Sequence, residues 1–243
     1  MLALIDSDTL AYASAVMAEG QGEQIAIWNA NYAIESLLRD INTSNNNEYQ
    51  LYLTGENNFR YNVYPEYKAN RIKMQRPTYL PAVRQHMMEK WGAFMSEGCE
   101  ADDMLGVDAH QADLDEREVL LVHIDKDIDQ IPGKHYNPRK KTTYYVSPIE
   151  GLRFFYYQLL VGDSADHIKG AKGIGPKKAE KILEGLTSEC DLLNAVRNYY
   201  SSDEELLMNG QCLWLWRTMG DTWQIPQCGE LSNETTETSS TTI

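Results

Sequence analysis

The chain has 243 residues, 42% of them hydrophobic, and 36 acidic against 22 basic side chains for a formal charge of −14. Such a chain can bury a real core, but no apolar run reaches the roughly 20 residues of a membrane helix, and the net charge excludes a general polyanion sponge. MLALID meets Asp6 without a basic flank, so no signal peptide is expected.

Leu2 to Ile5 reads as a buried strand, followed by the acidic turn Asp6-Ser7-Asp8 and a helix from Thr9 to about Ala18. Ile25 to Asp40 is amphipathic and helical, Asn42 to Asn47 is a polar loop, and Tyr49 to Leu53 is a second strand. Asn57 to Arg76 is aromatic and basic with weak periodicity. Helices are expected over Pro81 to Gly92 and Glu100 to about Gln111. Val119 to Ile124 is an apolar strand running into Asp125-Lys126-Asp127, Thr142 to Val146 is a further strand, and Pro148 to Leu160 is helical. Strands alternating with helices imply an α/β fold with a mostly parallel central sheet flanked by helices. Its expected organisation is a core over residues 1–160, a helical segment over 161–228 and a disordered Ser/Thr/Glu-rich tail over 229–243. Cys99, Cys190, Cys212 and Cys228 form no C-x-x-C pair, so four reduced thiols in a cytoplasmic protein are expected. His86, His110, His123, His135 and His167 show no zinc-ligand spacing.

Four acidic groups stand out: Asp6 with Asp8, Glu100 with Asp102 and Asp103, Asp125 with Asp127, and Asp163 with Asp166. Any one of them alone reads as a solvated charge run or a helix start. Two of them follow apolar strands, at the sheet edge where open α/β folds bind ligands. Brought together, such carboxylates repel unless cations lie between them, and oxygen-only ligands suit a hard ion such as Mg2+. Beside the last group lies GIGPKKA, Gly173 to Ala179. Its glycines allow a close backbone approach, Pro176 suits a first helical turn, and Lys177, Lys178 and Lys181 add charge beside the N–H groups of the helix start, a phosphate seat. Cations gather in local strips at Lys68–Arg76, Lys134–Lys141 and Lys169–Lys181, so an acidic chain can still hold DNA.

In order, Asp6, YKANR at Tyr67–Arg71, EADD at Glu100–Asp103, DKD at Asp125–Asp127 and GDSADHIKGAKGIGPKKA at Gly162–Ala179 resemble the 5′-nuclease family of flap endonucleases and polymerase-linked 5′→3′ exonucleases. IDKDIDQIPGKHYNP, Ile124 to Pro138, is most similar to free-standing phage 5′→3′ exonucleases. The resemblance implies a PIN-like core with a helix–three-turn–helix DNA-binding segment. It also implies two Mg2+ or Mn2+ ions held by Asp6, Glu100, Asp102, Asp103, Asp125, Asp127, Asp163 and Asp166. Lys68 and Arg71 would meet the scissile phosphate and act in catalysis with Asp6, Asp103 and Asp125. Tyr67, Lys68, Arg71, Lys172, Gly173, Ile174, Gly175, Lys177 and Lys178 would touch DNA, with K+ at the glycine hairpin. The implied partner is duplex DNA with a 5′ end or flap, or an RNA–DNA hybrid. A cytoplasmic location is expected, the host's cytoplasm if the chain is phage-encoded, and a monomer is favoured. Departures are visible as well. Thr54 and Gly55 stand where the family often has an Asp, which Glu56 could replace only with a shift, and Arg71 to Trp91 is short for a closed helical arch. Two rival readings are a non-catalytic DNA-binding module with vestigial acids and a PIN-like ribonuclease, neither of which needs the whole motif set.

Overall fold

The computed structural model describes residues 1–41, 48–72 and 75–228. The expected loop at 42–47, Lys73 and the expected tail at 229–243 lie outside the described residues.

Six strands form one sheet in the order β3-β2-β1-β4-β5-β6. They are β1 (Leu2–Asp6), β2 (Glu48–Leu53), β3 (Phe94–Met95), β4 (Val119–Val122), β5 (Gly133–Asn137) and β6 (Thr142–Val146). All neighbours pair in parallel except β5 with β6. Central β1 is covered on both faces, as its unbroken apolar run requires. Ala3 and Ile5 join Leu51, Leu53, Leu120 and Val122 on one side, against α1 (Asp8–Val16), α2 (Glu23–Asp40) and α4 (Leu80–Trp91), with the one-turn α3 (Arg60–Val63) between α2 and α4 in the chain. Leu4 joins Tyr52 and Leu121 on the other, against Leu105 of α5 (Ala101–Leu114) and Ile128. This is the mostly parallel α/β sheet flanked by helices that the alternating pattern predicts.

Helix ends follow local chemistry. Pro81 in the first turn opens α4, and Gly92 at φ 64° closes it. A Ser147–Glu150 capping box starts α6 (Pro148–Val161). The expected C-terminal helical segment resolves into α7 (Pro176–Leu183), α8 (Glu189–Arg197) and α9 (Asp203–Leu213), which pack with α6 around Phe155, Tyr156, Leu159 and Leu160. Trp214 and Trp223 meet Phe155 edge-on at 5.0 and 5.3 Å, docking the chain after α9 onto this cluster. Two short strands, β7 (Gly162–Asp163) and β8 (Ile168–Lys169), cross before α7. A Cβ on Gly162 would lie 2.3 Å from Gly170 N and 2.4 Å from Ile168 O, and φ there is 73°. Only glycine fits that crossing, which aims Asp163 back toward the sheet.

The thiol expectation is corrected. Cys190 and Cys228 are joined in a disulfide spanning 38 residues, because the chain beyond α9 folds back beside α8. Cys99 and Cys212 are free and buried. Among the described residues, no helix is long and apolar enough to cross a membrane.

Candidate metal centre

Asp6 ends β1, and Asp125 follows β4, so adjacent parallel strands deliver both carboxylates to one edge of the sheet. The start of α5 adds Glu100 and Asp102, the turn after β4 adds Asp127, and the β7–β8 crossing adds Asp163 and Asp166. These acids line one cleft of about 470 Å3, together with Asp8, Lys68, Arg71 and Lys126. Backbone N–H groups hold the turns in place. Asp8 N–H donates to Asp6 at 3.1 Å, Asp127 N–H to Asp125 at 2.9 Å, and Ala165 N–H to Asp163 at 2.7 Å.

The cleft is electrostatically divided. On one side, burial together with the charges of Asp8 and Asp125 pushes Asp6 up to about 7. Burial and the charges of Asp125 and Asp163 push Asp127 up to about 7 as well. Asp102 is driven well above the carboxylate range by burial and by Asp6 and Asp125. On the other side, burial would raise Glu100, but Lys68 and Arg60 more than offset it and hold it low. Lys68 pairs with Glu100 and lies 3.6 Å from Asp166, while Arg71 pairs with Asp166 at 2.6 Å. Lys126 reaches Asp163 at 3.3 Å and Asp127 at 3.9 Å, close enough to damp repulsion between the acids. Crowded carboxylates with suppressed ionisation are the donor set that a hard divalent cation satisfies.

A stability effect follows. Asp6 keeps its proton in the folded chain up to about pH 7, whereas the unfolded chain releases it near 3.8. Between those values the folded state binds more protons, so stability falls as pH rises and levels off above 7. In EDTA, Asp6→Asn is expected to raise the melting temperature at pH 7.5 and leave it nearly unchanged at pH 4. Equal shifts at both pH values would remove the charge as the cause.

Two expected residues, Asp103 and Tyr67, stand elsewhere than expected, and one, Arg60, was missed. Asp103 is fully buried and points away from the cleft, gripped by Arg60 at 2.6 and 2.8 Å and by Glu100 N–H at 2.9 Å. Its lone pairs are committed, so it is a structural anchor. Arg60 itself is 1% exposed and ties α5 to Cys212 O and Trp214 O at 2.7 and 2.8 Å. No periodicity marked it. Tyr67 is 2% exposed, so its ring cannot stack on a base. Its hydroxyl instead lies 2.8 Å from Asp166 and 3.2 Å from Glu100. Glu56 is exposed outside the cleft and does not replace the family's Asp. Thr54 N–H donates to Asp8 at 3.0 Å instead.

Lys172, Lys177 and Lys178 are exposed around the glycine hairpin, distinct from the residues that line the cleft. Gly173 has φ 75°, and a Cβ on Gly173 or Gly175 would meet nothing within 4 Å, so the hairpin backbone faces open space. Ile174 is buried and roots it.

The model of the 5′-3′ exonuclease N-terminal resolvase-like domain matches residues 1–150. The chain belongs to the 5′-3′ exonuclease family. Within this family it is 33% identical to the thermostable DNA polymerase I of Thermus aquaticus over 138 residues, covering 52% of this chain and 16% of that protein. It is 31% identical to DNA polymerase I of Caldicellulosiruptor bescii over 172 residues, covering 63% and 20%. The flap endonuclease Xni of Shewanella sp. strain ANA-3 is 26% identical over 167 residues, 64% of each chain. The chain thus spans less than two thirds of these relatives. The 5′-3′ exonuclease fold is also that of the bacteriophage T5 D15 protein co-crystallised with metal ions, at TM-score 0.62, 20% identity and 86% coverage of both chains.

Proposed function

We propose that this member of the 5′-3′ exonuclease family is a metal-dependent 5′→3′ DNA exonuclease with structure-specific flap endonuclease activity. The observation that carries the proposal is the convergence of acids from four separate chain segments on one cleft, several of them without a cationic partner among the described residues. Asp6, Glu100, Asp102, Asp125, Asp127, Asp163 and Asp166 would hold two Mg2+ or Mn2+ ions. When bound, such ions activate water and stabilise the leaving oxygen. Lys68 and Arg71, now paired with Glu100 and Asp166, would turn to the scissile phosphate and stabilise the charge that develops on it. The products would carry 5′-phosphates.

Residues 1–160 would form the catalytic core and 161–228 the duplex-gripping helix–three-turn–helix segment. Open N–H groups at Gly173 and Gly175, with Lys172, Lys177 and Lys178, would hold duplex phosphates, with K+ at the hairpin. A groove of about 1310 Å3 shares Lys68, Arg71 and Arg84 with the acid cleft and adds Arg76. It would carry the 5′ strand to the metals without a closed arch. Primer removal or DNA degradation in phage replication is the proposed setting, with a monomer acting on duplex DNA bearing a 5′ end or flap.

The test is cleavage of a 5′-labelled flap duplex and of single-stranded RNA, each with Mg2+ and with EDTA. DNA cleavage that EDTA abolishes is expected; preferential RNA cleavage would favour a ribonuclease, and no cleavage would leave a DNA-binding module. Lys177→Ala with Lys178→Ala is expected to weaken duplex binding and lower the slope of log K against log salt by about one to two. An unchanged slope would take these lysines out of the interface.

A further inference from the structure

Beyond the acid cleft, His123 and His135 meet ring to ring. His123 follows β4, His135 lies in β5, and the parallel pairing of Val122 with Tyr136 brings them side by side. His123 Nε2 is 2.7 Å from His135 Nδ1, and the residues are 2% and 0% exposed. The far nitrogen of each ring faces a backbone carbonyl: His123 Nδ1 lies 2.5 Å from Asp125 O, and His135 Nε2 lies 2.9 Å from Ile131 O. A carbonyl oxygen only accepts, so each neutral ring carries its hydrogen on that far side. The two facing nitrogens therefore present lone pairs to one another, and a positive species has to lie between them. Asp129 Oδ1 stands 3.8 Å from both nitrogens and accepts a 2.6 Å hydrogen bond from Tyr144. Tyr144 sits opposite His135 across the β5–β6 pair and stacks on its ring.

We propose that His123, Asp129 and His135 bind one divalent cation of the Zn2+ class, separate from the catalytic ions. Two imidazoles and a carboxylate select Zn2+ over Mg2+, and the donor atoms already lie within 4.8 Å of one another. Tetrahedral Zn2+ with Zn–N of 2.0–2.1 Å would set the two nitrogens about 3.3 Å apart, so the rings need to part by only about 0.6 Å. The carbonyl acceptors on the far nitrogens are the outer shell that orients metal-ligating histidines. Asp129 is the exposed edge of the group at 33%, which leaves the fourth position to water. His123 precedes Asp125 by two residues, and Asp129 follows Asp127 by two. The ion would thus clamp both ends of the turn that presents the two catalytic carboxylates.

The test titrates metal-stripped protein with Co2+ in excess Mg2+, which occupies the all-oxygen cleft but competes poorly for imidazole. One Co2+ per chain with an intense tetrahedral d–d absorption, displaced by Zn2+, is expected. His135→Gln should abolish the absorption, and Asp129→Asn should weaken Co2+ affinity at least about tenfold. Asp129→Asn lies at the exposed edge and decides the matter if His135→Gln does not fold. No tetrahedral absorption, or an unchanged affinity in Asp129→Asn, would overturn the site and leave a shared proton between the rings.

Discussion

Asp125→Asn is expected to lower cleavage of a flap duplex by roughly 10²–10³-fold or more, the loss seen when one electrostatic partner of a transition state is removed. Duplex affinity, read by fluorescence anisotropy in Ca2+, should stay within a few-fold. The separation of the two effects follows from geometry. Asp125 Oδ1 accepts the Asp127 N–H at 2.9 Å, and an asparagine carbonyl can keep that bond. The turn therefore survives, while a charge leaves the centre of the cleft between Asp6, Asp102 and Asp127. The hairpin at Gly173–Gly175, where the duplex is proposed to be held, does not line that cleft. If binding falls as far as cleavage does, Asp125 supports the fold and the metal assignment at this position fails.

Arg60→Leu is expected to cost about 3–5 kcal/mol, the usual effect of stranding a buried charge. For a chain of this size that corresponds to a melting temperature lower by roughly 10 °C. Arg60 and Asp103 are 1% and 0% exposed and joined by two parallel hydrogen bonds, with further bonds from Arg60 to Cys212 O and Trp214 O. Removing the guanidinium leaves Asp103 charged in the core and frees two carbonyls. Arg60→Met combined with Asp103→Leu should recover part of the loss, because no charge is then stranded. A single change that costs less than about 1 kcal/mol in urea unfolding would show that water reaches Asp103 and that the pair is not an anchor.

Legibility in the sequence depended on how local the signal was. LALID and VLLV were readable as strands because burial on both faces leaves an unbroken apolar run, and Asp6 and Asp125 were readable as edge residues because they end such runs. GKHYN at β5 was not, since it is half polar and opens on Gly133 directly after Pro132, a turn signal. It becomes a strand because β4 and β6 pair with both its edges. Within EADD, residue type marked all three acids alike. Only the fold distinguishes Asp102, which lines the cleft, from Asp103, whose partner Arg60 lies 43 residues away. Tyr67 shares a motif with Lys68, yet its ring packs under the cleft while Lys68 faces into it. The Cys190–Cys228 bond and the His123–His135 contact are likewise tertiary facts, made by chain return and strand register. No spacing rule marks either pair.

The acid cleft is proposed as a divalent-metal centre. Anomalous diffraction from crystals of the protein soaked in Mn2+ tests it most directly. Peaks about 2 Å from carboxylate oxygens of Asp6, Asp102 and Asp125, and a second group against Asp127 and Asp163, are the predicted result. Anomalous density confined to other surfaces, with Lys68, Arg71 and Lys126 still paired to the acids in an otherwise metal-free cleft, would contradict it.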